Sequence, residues 1–173
     1  MSSYKSLLKT VKAFAFDVDG VFTDGQVLLL PGNEFVRAVN IKDGYAVQHA
    51  IKMGYPIAII SGGKSAEIVK RFKKLGVTDI YMGASNKLEK LEDFRSKYSL
   101  EYTDILYMGD DIPDYELMQK AGLPTCPKDA AVEIQELASY ISDRTGGQGC
   151  VRDVVEQVLR IQDKWLTDGS FEW

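Results

Sequence analysis

The chain has 173 residues with 21 Lys and Arg against 25 Asp and Glu, a net charge of −4. That length suits one domain with a real core, and 45% hydrophobic with 27% charged residues excludes a disordered chain. The mildly acidic balance argues against a dedicated nucleic-acid binder. No apolar run nears the ~20 residues that cross a bilayer, and residues 1–12 lack the apolar stretch of a secretory signal. The two cysteines, Cys126 and Cys150, are too few for a disulfide framework and form no CxxC pair, so they are expected as buried hydrophobes or free thiols in a cytoplasmic, reducing compartment.

Short apolar runs alternate with amphipathic stretches, the pattern of βα units around a mostly parallel sheet. A first strand over Ala13 to Phe16 ends in the acidic turn Asp17-Val18-Asp19-Gly20. Residues 27–39 read as a β-hairpin, with Pro31-Gly32-Asn33 as its turn. A helix opens at Asp43-Gly44 and runs through Met53, followed by a continuous apolar strand over Pro56 to Ile60. Ser61-Gly62-Gly63 leads to a helix from about Ser65 to Leu75, stopped by Gly76. A short strand at 80–82, a helix over Lys87 to Tyr98 and a strand over Ile105 to Met108 come next. Gly109-Asp110-Asp111 breaks that strand and opens a helix through Ala121. A weak strand at 123–125, a helix near 130–137, a strand at 140–141 and a last helix over 150–165 complete the chain. With no internal repeat or dividing linker, residues 1–173 are expected as a single α/β domain with a Rossmann-like parallel sheet and helices on both faces.

In such sheets ligands bind beyond the C-terminal strand ends. Three of those ends carry unusual chemistry: Asp17-x-Asp19-Gly20, Ser61-Gly62 and Gly109-Asp110-Asp111-x-x-Asp114. Carboxylates gathered in one crevice repel and raise one another's proton affinity unless a cation neutralises them. Hard oxygen donors with no neighbouring His or Cys point to Mg²⁺. Taken singly, an acidic residue at a strand end is a turn former or helix cap, and Ser61-Gly62-Gly63 alone is a capped strand-to-helix turn. Together, if their strands are neighbours, they point to a metal and phosphate site, with the Ser61 hydroxyl and nearby backbone N–H groups as an anion cradle. Lys87 opens its helix at the end where a cation is disfavoured, which suggests that a negative group holds it there. His49, the single histidine, has no partner set for a metal and reads as a surface or packing residue.

These residues, Asp17-Val18-Asp19-Gly20, Ser61, Lys87 and Gly109-Asp110-Asp111-Ile112-Pro113-Asp114, resemble the four ordered motifs of the haloacid dehalogenase (HAD) superfamily of phosphatases. Asp19-Gly20-Val21-Phe22-Thr23-Asp24-Gly25, Asn40-Ile41-Lys42-Asp43-Gly44, Ser85-Asn86-Lys87 and Gly146-Gly147-Gln148-Gly149 extend the resemblance to the 3-deoxy-D-manno-octulosonate 8-phosphate (KDO-8-phosphate) phosphatase subfamily. The resemblance implies a Mg²⁺-dependent phosphoric monoester hydrolase. Asp17 is its nucleophile, forming an aspartyl-phosphate, and Asp19 is its acid and then base. Acting first as an acid requires a proton on Asp19, a condition that crowding by other carboxylates is expected to favour. The metal is expected on Asp17, Asp110 and the backbone carbonyl of Asp19. Ser61, Gly62 and Lys87 are expected on the phosphate, with Asp111 and Asp114 behind them, orienting the metal waters and Lys87.

The stretches 20–60 and 63–86 are already filled by hairpin, helices and strand, which leaves no room for an inserted cap domain. An open site is poor at excluding water, so self-association is expected. The resemblance implies a homotetramer in which apolar hairpins lie against neighbouring active sites, and a tail over about 166–173, with Phe171 and Trp173, that reaches a neighbour's site. Thr23, Asn40, Lys42 and Lys64 are the expected polar groups at the mouth, Thr23 and Asn40 among them as substrate-binding residues. Gly63 and Lys42 stand where the family commonly has Arg, which leaves two substrates open: the eight-carbon sugar acid, and a nine-carbon keto-deoxy sugar acid 9-phosphate. A receiver-like phospho-acceptor module shares the acidic pair, Ser/Thr, Lys and Mg²⁺, but places its acidic pair and acceptor in a different order. The pathway context implied is lipopolysaccharide biosynthesis.

Overall fold

Within the first strand, β1 (Ala13–Phe16), Phe14 and Phe16 face one side and Ala13 and Ala15 the other, all fully buried. A strand buried on both faces must lie inside a layered sheet. The computed structural model describes residues 4–32, 34–167 and 170–171. In it β1 pairs in parallel with β4 (Ile57–Ser61) on one side and β6 (Ile105–Met108) on the other. Beyond these lie β5 (Asp79–Met82), β7 (Leu123–Cys126) and β8 (Tyr140–Ile141), giving the order β5-β4-β1-β6-β7-β8 with every pairing parallel.

Helices α2 (Ile41–Lys52), α3 (Ala66–Lys74) and α7 (Cys150–Ile161) cover the face that carries Phe14, Phe16, Leu106 and Met108. Helices α4 (Lys87–Lys97), α5 (Tyr115–Lys120) and α6 (Val132–Leu137) cover the face of Ala13, Ala15, Ile105 and Tyr107. The expected doubly covered parallel sheet is therefore what forms. A separate antiparallel hairpin, β2 (Leu28–Leu30) with β3 (Glu34–Val36), stands off the sheet, with Leu29 70% and Phe35 57% exposed. The turn residue Asn33 lies outside the described residues.

Several boundaries differ from the sequence reading for local reasons. Helix α2 starts at Ile41, because the Asn40 side chain accepts the Lys42 N–H and caps it. Helix α7 stops at Ile161, where Asp163 adopts a left-handed conformation. A short helix α1 (Tyr4–Leu7), not anticipated from sequence, packs Tyr4 on Tyr140. His49 is a packing residue: it is buried, stacks on Tyr45 and meets the edge of Trp165, and its Nε2 lies 3.1 Å from the Lys164 carbonyl. The described part of the C-terminal tail folds back onto α2. Ser170 is buried and its carbonyl accepts the Tyr45 hydroxyl, while Phe171 is exposed. Asp168, Gly169 and Trp173 lie outside the described residues. Cys126 and Cys150 are buried free thiols.

Candidate active site

Because β1 lies between β4 and β6 and all three run parallel, their C-terminal ends sit side by side at one edge of the sheet. Asp17 follows β1, Ser61 ends β4, and Gly109-Asp110 follows β6. An open cleft of about 320 Å³ lies there, lined among others by Asp17, Asp19, Ser61, Gly62, Lys87 and Asp110. The residues expected to carry the chemistry from three strand ends and one helix start thus share one cavity.

Lys87 is the hub. Asn86 caps α4 through the Glu89 N–H, so Lys87 is the first residue of the helix and its side chain turns into the cleft. It is only 8% exposed, and its Nζ lies 3.0 Å from Asp17 Oδ2 and 2.7 Å from Asp114 Oδ1. The two carboxylates raise the ammonium's pKa against the opposing effect of burial. A negative partner does hold this cation at the unfavourable helix end. Asp114 is fully buried: Oδ1 also accepts the Tyr107 hydroxyl at 2.6 Å, and Oδ2 accepts the Asp110 N–H at 3.1 Å.

Carboxylate oxygens of Asp17, Asp110 and Asp114 lie within 4.8 Å of one another. Burial, then the charge of Asp114, push Asp17 up to about 7 although Lys87 pulls the other way. Burial and the charges of Asp17 and Asp114 push Asp110 up to about 7 as well. Asp17 Oδ1 is buried without any hydrogen-bond partner. Gly20, at φ +80°, passes so close to Asp110 that a Cβ there would run into its carboxylate. An orphaned carboxylate oxygen, a second carboxylate kept clear by a glycine and an all-oxygen donor set fit a hard divalent cation. Asp114 belongs to the cluster by distance, but its two oxygens are already committed to Lys87, Tyr107 and the Asp110 amide.

Asp19 lies differently from its expectation. Arg37, at the end of the hairpin, donates from Nε to Asp19 Oδ1 at 2.6 Å and from Nη2 to Oδ2 at 3.3 Å. Its close charged partner is therefore a guanidinium rather than the crowd of carboxylates expected from sequence. Gly63 leaves the room for this pair, since a Cβ there would lie 2.9 Å from Asp19 Oδ2. Ser61 Oγ accepts the Gly63 N–H at 3.1 Å, which aims the hydroxyl into the turn above β4. Asp111 is exposed and caps the following 3₁₀ turn through the Ile112 N–H.

Thr23 and Asn40 do not line the cleft. Thr23 is fully buried, and its hydroxyl accepts the Gly20 and Gly25 N–H groups, closing the loop after Asp19. Asn40 caps α2 and donates to the Gly147 carbonyl. The motif segments outside the cleft form a brace of the same kind. Asp43 accepts the Arg152 N–H at 2.7 Å at the start of α7, and Gly147 N–H bonds the Val21 carbonyl. Gly146 packs so tightly on the Gly20 carbonyl that no side chain fits there. Sequence reasoning missed Arg37 and Tyr107. Arg37 sits in a hairpin without motif context, and Tyr107 reads as one more apolar strand residue.

Residues 73–152 match the sequence family described as haloacid dehalogenase-like hydrolase. The chain is 34% identical over 90% of its length, and over 83% of the relative's, to the 3-deoxy-D-manno-octulosonate 8-phosphate phosphatase of Escherichia coli K12. The chain belongs to this phosphatase family. Solved structures agree. The Yersinia pestis enzyme superposes with TM-score 0.91 at 30% identity, covering 94% of this chain and 88% of that one. The Moraxella catarrhalis enzyme, in complex with magnesium, phosphate and KDO, superposes with TM-score 0.90 at 33% identity, covering 94% of both.

The raised pKa values predict a stability effect of definite sign. Asp17 and Asp110 prefer their neutral form when folded, so their contribution is fully present below about pH 4 and is lost as pH rises through about 7. In metal-free protein, Asp110→Asn is expected to stabilise the fold at pH 8 by about 1–2 kcal/mol, allowing for solvent screening, and to have little effect at pH 4. Urea unfolding at the two pH values measures this, and a variant equally or less stable than wild type at pH 8 contradicts it.

Proposed function

We propose that the protein is a phosphomonoesterase that hydrolyses 3-deoxy-D-manno-octulosonate 8-phosphate to the free sugar acid and phosphate. The observation that carries the reading is the Asp17 carboxylate among the residues lining the cleft, with one oxygen 3.0 Å from the Lys87 ammonium and the other without a hydrogen-bond partner. Such a group can act as a nucleophile. The sugar acid enters by similarity, since the Moraxella catarrhalis structure is a complex with KDO.

In the first step an Asp17 oxygen forms a bond to phosphorus while the bond from phosphorus to the sugar oxygen breaks. The departing electron pair stays on that oxygen, which takes a proton from Asp19. In the second step Asp19 takes a proton from water, whose oxygen displaces Asp17 from phosphorus and releases inorganic phosphate. Ser61, Gly62 and Lys87 hold the phosphoryl oxygens, and Lys87 offsets charge on them throughout. Arg37 fixes the direction of the Asp19 carboxylate at the edge of the cleft. Asp17, Asp110 and the backbone carbonyl of Asp19 would hold Mg²⁺, which supplies neutralisation of the phosphate charge.

A homotetramer fits the exposed Leu28, Leu29, Phe35 and Val36 of the hairpin, an apolar surface that a second copy would cover beside an otherwise open cleft. Cytoplasmic location and a role in lipopolysaccharide biosynthesis follow from the same reading. No helix among the described residues is long and apolar enough to cross a membrane.

Phosphate release from eight- and nine-carbon keto-deoxy sugar acid phosphates tests the activity. Turnover of the eight-carbon ester is expected, with loss of about a thousandfold or more in Asp17→Asn and in excess EDTA. Retained turnover in Asp17→Asn overturns the mechanism, and preference for the nine-carbon ester reassigns the substrate. Light scattering of Leu29→Asp is expected to give a smaller species than wild type, and an unchanged mass contradicts the hairpin interface.

A further inference from the structure

Resting on the phosphatase reading, we propose that Tyr107 is a positioning residue that sets the Lys87 ammonium against the phosphoryl group by fixing Asp114. Tyr107 lies in the interior of β6 and is completely buried, among the largest fully buried side chains of the protein. Its ring belongs to the core beneath α4 and α5, yet its hydroxyl ends on Asp114 Oδ1 at 2.6 Å, the oxygen that Lys87 reaches at 2.7 Å. The other Asp114 oxygen takes the Asp110 amide. Three donors on two oxygens leave the Asp114 carboxylate no freedom to turn.

Lys is a flexible four-carbon stem with a point charge and has no directional preference of its own. Its head is placed only by what it bonds. On its far side Lys87 faces Asp17 at 3.0 Å, where phosphorus must be attacked. The order of the contacts is therefore a rigid tyrosine in the sheet, a locked carboxylate, a mobile ammonium and the nucleophile. Burial and the charge of Asp114 keep the Tyr107 hydroxyl protonated far beyond neutral pH, so it stays a hydrogen-bond donor. A packing role alone would be met equally well by phenylalanine.

The test is Tyr107→Phe, which removes one oxygen, read by kcat, KM, competitive inhibition by inorganic phosphate and thermal unfolding. A hydrogen bond to a charged group is worth enough that kcat/KM should fall about tenfold and the phosphate inhibition constant rise by about the same factor. Asp114→Ala serves as a second background in which Tyr107→Phe should add less than about twofold, because the acceptor linking Tyr107 to Lys87 is gone. Thr125→Val is the control for strand damage. It removes the buried bond from Thr125 Oγ1 to the Tyr107 carbonyl at 3.0 Å, and should lower the melting temperature with both constants within about twofold of wild type. Tyr107→Phe within twofold of wild type in both constants overturns the proposal. So does a full tenfold effect that persists in Asp114→Ala, or an equal effect from Thr125→Val. Failure of the phosphatase reading itself would appear earlier, as no phosphate release by the wild-type protein, and phosphate binding measured directly would still report on Tyr107.

Discussion

Three carboxylates, Asp17, Asp110 and Asp114, are packed together at the C-terminal edge of a parallel sheet, with one ammonium, Lys87, bonded to Asp17 and Asp114. With all three ionised, the cluster carries three negative charges against one positive, an excess of two. Burial makes that excess costly, and the upward shifts of Asp17 and Asp110 express the cost. A divalent cation has the charge that closes the balance. The same surplus explains why a phosphate dianion can enter a cleft lined by acids: it comes to a neutralised site with an ammonium and a hydroxyl on its far side. Stability and catalysis therefore pull on the same residues in opposite directions, as expected where a site is kept strained for function.

No single element could hold such a cluster. The fold divides the task among three strand ends and one helix start, and then prevents the connecting loops from relaxing. Thr23 closes the loop after Asp19 from inside, and the backbone of Gly146 and Gly147 presses on it from outside. Asp43 fixes the helix that follows those glycines. These contacts restrict the turn on which Asp17 and Asp19 sit. The hairpin reaches the same place from a third direction through Arg37.

Much of this was legible in the sequence. The strand ends could be read because apolar runs of buried-strand type stop abruptly at acidic or glycine-rich turns, and the topology rule places such ends together. Lys87 was legible from a violated rule, a cation at a helix start, and the violation has the expected cause in Asp17 and Asp114. Thr23 and Asn40 could not be placed from sequence, because a polar residue near a predicted mouth can equally satisfy backbone N–H and carbonyl groups that the loops leave over, as these two do. Arg37 and Tyr107 were hidden for opposite reasons. A lone arginine on an exposed hairpin carries no periodic or motif signal, and a tyrosine inside a core strand is indistinguishable from packing until its hydroxyl is placed.

The charge balance at the cluster is the claim on which the rest stands, and calorimetric titration of metal-free protein with Mg²⁺ near pH 6.5 in buffers of different ionisation enthalpy tests it most directly. The account predicts one ion per chain with release of about one to two protons, because the Asp17 and Asp110 carboxyls, both held near pH 7, must ionise to take the cation. Binding should be lost in Asp110→Asn. Mg²⁺ binding with no proton release, or undiminished binding in Asp110→Asn, would contradict it.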